Sequence, residues 1–146
     1  MKSVAEILKA KGNSAVYSLA PSASVLEAVK LMADKNVGAL LVMEEDRIVG
    51  MVTERDYARK VVLMSRSSKD TPLHEVMTTA VIYVRPAQTS EECMALMTQN
   101  RVRHLPVMDE GRLVGLISIG DLVKGIISEQ SFIIEQLQHY ISGDHR

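Results

Sequence analysis

The chain has 146 residues, 47% of them apolar, and a formal net charge of −1 with both signs interspersed. This is one compact domain or two very small ones, and the mixed charge argues against a non-specific nucleic-acid binder. No apolar run approaches the roughly 20 residues of a membrane helix, and the single cysteine, Cys93, excludes an internal disulfide.

The start, MKSVAEILKAKG, has charges inside its apolar pattern and does not read as a signal peptide. A cytoplasmic protein is the expectation. Tryptophan is absent and phenylalanine occurs once, so Met, Leu, Val, Ile and Ala must fill the core.

Taken in order, Val4, Ile7 and Leu8 mark one face of a short helix stopped by Gly12 and Asn13. Ala15-Val16-Tyr17 is a short extended segment before Pro21. Ser24-x-x-Glu27 predicts a capping box, and the helix behind it buries Val25, Ala28, Val29, Leu31 and Met32, ending near Asn36. Val37–Met43 and Ile48–Val52 read as two strands joined by a polar turn at Glu44-Glu45-Asp46. A helix from Thr53 is expected to carry Tyr57, Val61, Val62 and Met64 on its apolar side, and Ser65–Thr71 reads as a polar linker.

The order then repeats. Leu73, Val76 and Met77 match the first short helix, Ala80-Val81-Ile82 matches Ala15-Val16-Tyr17, and Pro86 matches Pro21. Thr89-x-x-Glu92 predicts a second capping box. Val102-x-x-Leu105-x-Val107-Met108 matches Val37-x-x-Leu40-x-Val42-Met43, with a turn at Glu110-Gly111. From Val16 to Val61 the halves superpose without a gap at an offset of about 65 residues, which reads as duplication of a β-α-β-β-α unit. Repeat 1 spans 1–66, repeat 2 spans 72–130, and 131–146 extends the last helix. Phe132, Ile133, Ile134, Leu137 and Ile141 lengthen its apolar side toward Gly143, with a break expected near Ser128–Ser131.

One stretch organises both halves. It reads RIVGMVTERD from Arg47 to Asp56 and RLVGLISIGD from Arg112 to Asp121. A buried strand delivers the chain into a helix start, with Thr53 or Ser118 as the cap and Asp56 or Asp121 one turn in. Backbone N–H groups left free at such a start can hold an anionic or polyhydroxy ligand.

The repeat, the VGMVTERD and VGLISIGD stretches and the VRHLPVMDEGRLVG hairpin resemble a tandem pair of CBS domains, over nearly the whole chain. The chain is similar to stand-alone bacterial two-CBS proteins. The resemblance implies an α+β fold of two β-α-β-β-α repeats packed about a pseudo-two-fold axis. It also implies two clefts for adenine nucleotides (AMP, ADP or ATP, sometimes NAD or S-adenosylmethionine), and a homodimer formed through helices.

Candidate site residues follow from that frame. Asp56 and Asp121 are expected to accept from ribose hydroxyls, since a carboxylate is a pure acceptor with about four lone-pair sites. The alternative is that each only completes a capping box. Thr53 and Ser118 would cap and also face ligand. Arg55 is a phosphate candidate by resemblance, although its twin is Gly120. Arg103 and His104 are further phosphate candidates by resemblance. Their twins are Gly38 and Ala39, so the positive charge is lopsided, with Arg55 or Lys35 as supplements. A histidine there also makes phosphate binding pH-sensitive. Ala15, Val16 and Tyr17 with Val37 and Val52 are expected to line one adenine slot. Ala80, Val81 and Ile82 with Val102, Pro106 and Ile117 would line the other.

Other chemistries find no support. His74-Glu75 lacks the second histidine of a zinc-protease helix, and the histidines do not cluster at metal-ligand spacing. No Walker loop or dinucleotide glycine fingerprint occurs. Cys93 falls on an apolar helix face and reads as a small buried hydrophobe. The expectation is a ligand-sensing module that signals energy or redox state to a partner protein, without catalytic residues, metal, nucleic acid or membrane. The alternative is a structural dimerisation module with empty clefts.

Overall fold

The computed structural model describes residues 2–12 and 15–142, with side chains described through His139. Asn13, Gly143 and the side chain of Ile141 lie outside the described residues. The chain divides into two compact units, one of Ala15–Val81 and one combining Met1–Ser14 with Ile82–Arg146.

In the Ala15–Val81 unit, β1 (Ser18–Leu19) pairs in parallel with β2 (Ala39–Glu44), which pairs antiparallel with β3 (Arg47–Thr53). The helix α2 (Val25–Lys35) starts where Ser24 Oγ accepts from Glu27 N at 3.1 Å. Glu27 does not return the bond, so the predicted capping box is present only by half. Val25, Ala28 and Met32 from α2 meet Leu40, Val42 and Val52 from the sheet. Val61, Leu73 and Val76 close this core.

The chain after β3 departs from the expected single helix. It makes one α-turn, α3 (Glu54–Tyr57), then a π-helical turn over Ala58–Val62. Only Val61 is fully buried there. Val62 and Met64, expected on the apolar side, are 54% and 67% exposed. The wider π turn rotates them off the face that an unbroken helix would have buried.

The other unit joins α1 (Val4–Lys11) to α4 (Ser90–Asn100), the hairpin β4 (His104–Asp109) with β5 (Arg112–Ser118), and α5 (Ile119–Ser142). Its register copies the first: Ala39↔Thr53 becomes His104↔Ser118, and a bulge at Val42/Met43 becomes one at Val107/Met108. The parallel β1–β2 pairing is reduced to a single bridge, Val84↔Val107. Val4 and Ile7 of α1 complete a core with Val84, Cys93, Met97, Leu105, Val107, Ile117 and Leu122. α1 opens with a full capping box between Ser3 and Glu6. At α4, Thr89 Oγ1 accepts from Glu92 N at 3.2 Å, but the Glu92 carboxylate takes Gln88 Nε2 instead of completing the box. α5 runs for 24 residues with no break at Ser128–Ser131.

The compact units therefore do not coincide with the sequence repeats. The leading helix of repeat 1 packs with repeat 2, and the leading segment of repeat 2, through Val81, packs with repeat 1. Where a second α1 was expected around Leu73, Val76 and Met77, the chain makes only a short 3-10 turn, Leu73–Glu75. Thr78 bridges Met51 on the free edge of β3, with N–H to O distances of 2.9 Å in both directions. Both glycines of the repeated strands serve this exchange. A Cβ on Gly50 would lie 2.6 Å from Met77 Sδ, and one on Gly115 would lie 2.8 Å from Leu8 Cδ2.

Candidate functional site

Each repeated stretch ends at a hydroxyl–aspartate pair, and the two pairs are built differently. At the end of β3, Thr53 N–H donates to Asp56 Oδ2 at 3.0 Å and Thr53 Oγ1 to the same oxygen at 3.2 Å. Asp56 N–H donates back to Thr53 Oγ1 at 3.1 Å. The second oxygen, Oδ1, takes Lys60 Nζ at 3.1 Å and Thr78 Oγ1 at 3.4 Å. Asp56 is buried, and four donors use the acceptor capacity of its carboxylate.

At the end of β5, Ser118 N–H donates to Asp121 Oδ2 at 2.9 Å and Asp121 N–H to Ser118 Oγ at 3.1 Å. Lys11 Nζ approaches the same Oδ2 at 3.0 Å. Neither of these donors uses Oδ1. Burial pushes the Asp121 carboxyl up, but the Ser118 N–H and the Lys11 ammonium outweigh it and hold the group below its ordinary range. Asp121 thus stays ionised with acceptor capacity to spare, whereas Asp56 is fully engaged.

The basic candidates sort by unit. Arg103 and His104 stand at the start of β4, with Lys11 and Asp121 close enough to shape the histidine's charge. Burial pushes His104 below its ordinary value, Lys11 and Arg103 push the same way, and Asp121 opposes them. Arg103 is exposed, and its carbonyl accepts Ile119 N at 2.9 Å, which ties β4 to the start of α5. Gly38 O does the same for Glu54 N at 3.1 Å. Arg55 is exposed on α3 in the Ala15–Val81 unit. Lys35 lies 5.6 Å from the Tyr17 ring centroid and 3.6 Å from Asp34.

The expected slot residues are of two kinds. Val52, Pro106 and Ile117 are buried, Val52 and Ile117 within the two cores, and they present almost no surface. Tyr17, Val37 and Ile82 are half-buried, and Ala15 and Ala80 are exposed. The division between the units falls after Val81, so Ala80 lies with Asp56 while Ile82 lies with Asp121. Sequence reasoning missed Lys11, Lys60 and Thr78. Lys60 stands one helical turn beyond Asp56, a readable spacing. Lys11 and Thr78 come from segments exchanged between the repeats, and nothing local announces them.

Among the described residues no group of His, Cys, Asp or Glu has metal-binding geometry, and no helix is long and apolar enough to cross a membrane. Cys93 is free and buried, and burial, with Glu92 beside it, pushes its thiol pKa up.

Residues 4–63 and 73–128 each match the CBS domain family. The chain is 38% identical over 150 residues to the mitochondrial CBS domain-containing protein CBSX3 of Arabidopsis thaliana, covering 97% of this chain and 73% of that protein. It resembles a solved CBS-domain protein from Burkholderia ambifaria MC40-6, assigned to signal transduction, at 57% identity and a TM-score of 0.85 over 88% of this chain and 96% of that one. It shares its fold with the CBS domain pair of MJ0100, solved with 5′-methylthioadenosine and S-adenosyl-L-methionine. That likeness has 22% identity and a TM-score of 0.77, over 88% of this chain and 98% of that one. The repeated strand–cap–aspartate unit and these matches agree: the chain belongs to the CBS-domain family as a tandem pair.

Proposed function

We propose that the protein is a regulatory module that binds an adenosine nucleotide and passes its state to a partner protein. One observation carries this reading. Asp121 is held ionised at the mouth of a capped helix, with the Ser118 N–H and the Lys11 ammonium both on Oδ2, which leaves Oδ1 clear of both. Two vicinal ribose hydroxyls need such an acceptor. Arg103, His104 and Lys11 supply positive or protonatable groups in the same unit for a phosphate. The adenosyl ligands of the MJ0100 pair are of the same chemical class.

AMP, ADP, ATP and NAD all fit this chemistry, so the signal is energy or redox state. The reading is non-catalytic: the charged groups around Asp121 supply contacts to a ligand. A cytoplasmic setting suits both a free buried thiol and a nucleotide ligand.

A second reading has its own observation. On α5, Ile119, Val123, Ile127, Ile134 and Leu137 are exposed at helical spacing, with Phe132 and Ile133 beside them. Such a stripe favours a homodimer through helices, which serves a sensor as well as a purely structural module. Calorimetric titration of nucleotide-stripped protein with AMP, ATP and NAD separates the readings. Saturable binding that weakens in Asp121→Ala supports the sensor. No heat with any of the three leaves the interaction module.

A further inference from the structure

The two repeats end on like aspartates, but the chain fills one with its own donors and leaves part of the other open. Asp56 takes a pair of donors on each oxygen: the Thr53 N–H and hydroxyl on Oδ2, and Lys60 Nζ at 3.1 Å with Thr78 Oγ1 at 3.4 Å on Oδ1. At Asp121 the Ser118 N–H and the Lys11 ammonium both meet Oδ2, at 2.9 and 3.0 Å, and leave Oδ1 clear of both.

The difference has a source in the sequence. At the offset that aligns Asp56 with Asp121, Lys60 aligns with Gly125. Lys60 stands one turn beyond its aspartate, in the π turn Ala58–Val62, and is anchored twice, on Asp56 Oδ1 and on Val76 O at 3.0 Å. Two residues after Val76, Thr78 brings its hydroxyl to the same Oδ1, and its backbone is pinned to Met51 by two bonds of 2.9 Å. The corresponding stretch of α5 is regular helix. A Cβ on Gly125 would stand 3.4 Å from Ile7 Cγ1, so α1 packs against the position from which a lysine would reach Asp121.

We infer that Lys60 and Thr78 close Asp56 to a ribose, so that the chain binds one nucleotide, at Asp121, and its Ala15–Val81 unit takes no ligand on its own aspartate. This rests on the ribose role proposed above for Asp121. A carboxylate has about four lone-pair sites. At Asp121 a ribose diol adds hydrogen bonds to an oxygen that neither donor uses. At Asp56 it must first break bonds already made to an ammonium and a hydroxyl. The ammonium bond is charge-assisted, and the diol offers only neutral donors in exchange, so the trade favours the lysine. Lys60 is therefore a specificity-determining residue: it decides which of two like aspartates takes ligand.

Calorimetric titration of the nucleotide-stripped chain with AMP, ATP and NAD counts the sites. One site per chain is expected for whichever probe binds, and Asp121→Asn weakens that single class with no unaffected class left behind. Lys60→Met with Thr78→Val frees Asp56 Oδ1 and raises the count from one to two. Two sites per chain in wild type overturn the inference and leave the ribose role of Asp121 standing. A folded double variant that still shows one site overturns the closing role of Lys60 and Thr78. Lys60→Met alone, which keeps Thr78 in place, carries the same count if the double variant fails to fold. A single site that Asp121→Asn leaves unchanged, or binding of none of the three probes, overturns the ribose role and this inference with it.

Discussion

Gly50 lies so close to Met77 that a Cβ on the glycine would come within 2.6 Å of the Met77 sulfur and 2.9 Å of its Cγ. The Thr78 carbonyl stands behind at 3.1 Å. This contact, and not backbone conformation, explains the glycine in the middle of β3. Gly50→Ala must push the 77–78 segment off the strand edge. Overpacking of this kind costs about 1–3 kcal/mol. Gly115→Ala meets only the ends of the Leu8 side chain, which can rotate away, so its cost is smaller. Urea denaturation of the two variants checks the order. Equal losses would remove the backbone of Thr78 from the account.

Thr78 also donates to Asp56, so the first substitution reaches the candidate site. Asp56 and Asp121 accordingly respond differently to removal of charge. Asp56→Asn gives four donors a weaker acceptor and places an NH2 among them. It therefore loses more stability than Asp121→Asn. In binding, Asp121→Asn weakens nucleotide affinity by about 10- to 100-fold, the range of a hydrogen bond to a charged group. Paired thermal melts and AMP titrations of both variants check this. A larger stability loss in Asp121→Asn would reverse the assignment of roles.

The four hairpin strands, their turns and the caps at Thr53 and Ser118 were legible because they rest on local patterns: alternation, a turn, a hydroxyl three residues before an acid. The repeat made them legible twice, and the twin registers Ala39↔Thr53 and His104↔Ser118 follow it residue for residue. Three things were not legible. The π turn after Tyr57 looks like any helix at the level of apolar spacing, so Val62 and Met64 were placed inward. The half-formed boxes at Ser24 and Thr89 depend on where one carboxylate rotates. The exchange of leading segments between repeats is a matter of tertiary packing, and it brings Lys11 to Asp121. The aspartates could be named from sequence, but their state of engagement could not.

The His104 imidazole offers a reading of the site's electrostatics through pH. Burial, Lys11 and Arg103 together hold it below the ordinary 6.5, with Asp121 opposing. The unfolded chain therefore binds a proton at a pH where the folded chain does not. The resulting stability is present above pH 6.5 and is lost as pH falls from there through the lower, folded value. Asp121, also lowered, acts in the same direction at more acid pH: its stabilisation is present above its ordinary 3.8 and is lost as pH falls through its folded value. Urea midpoints of wild type therefore drop between pH 7.5 and 5.5 more than those of His104→Gln. Identical profiles would show that His104 is free to protonate in the folded state.

The exposed apolar stripe of α5 carries the last prediction. A helix of 24 residues is about 36 Å long, and Val123, Ile127, Ile134 and Leu137 repeat along it at spacings of four, seven and three, which keeps them on one face. Two such faces brought together remove apolar surface from water at about 25 cal/mol per Å². A single glutamate on that face would have to be buried without a partner. Ile127→Glu with Ile134→Glu is therefore expected to convert a dimer to a monomer in light scattering, and to leave the β hairpins folded. Both positions are exposed in the single chain, at 56% and 54%, so the fold of the protomer does not depend on them. A wild type that is monomeric at high micromolar concentration would show that the stripe is not a self-association surface. A double variant that still dimerises would place the interface elsewhere, with the exposed Val62-Leu63-Met64 segment as the next face to test.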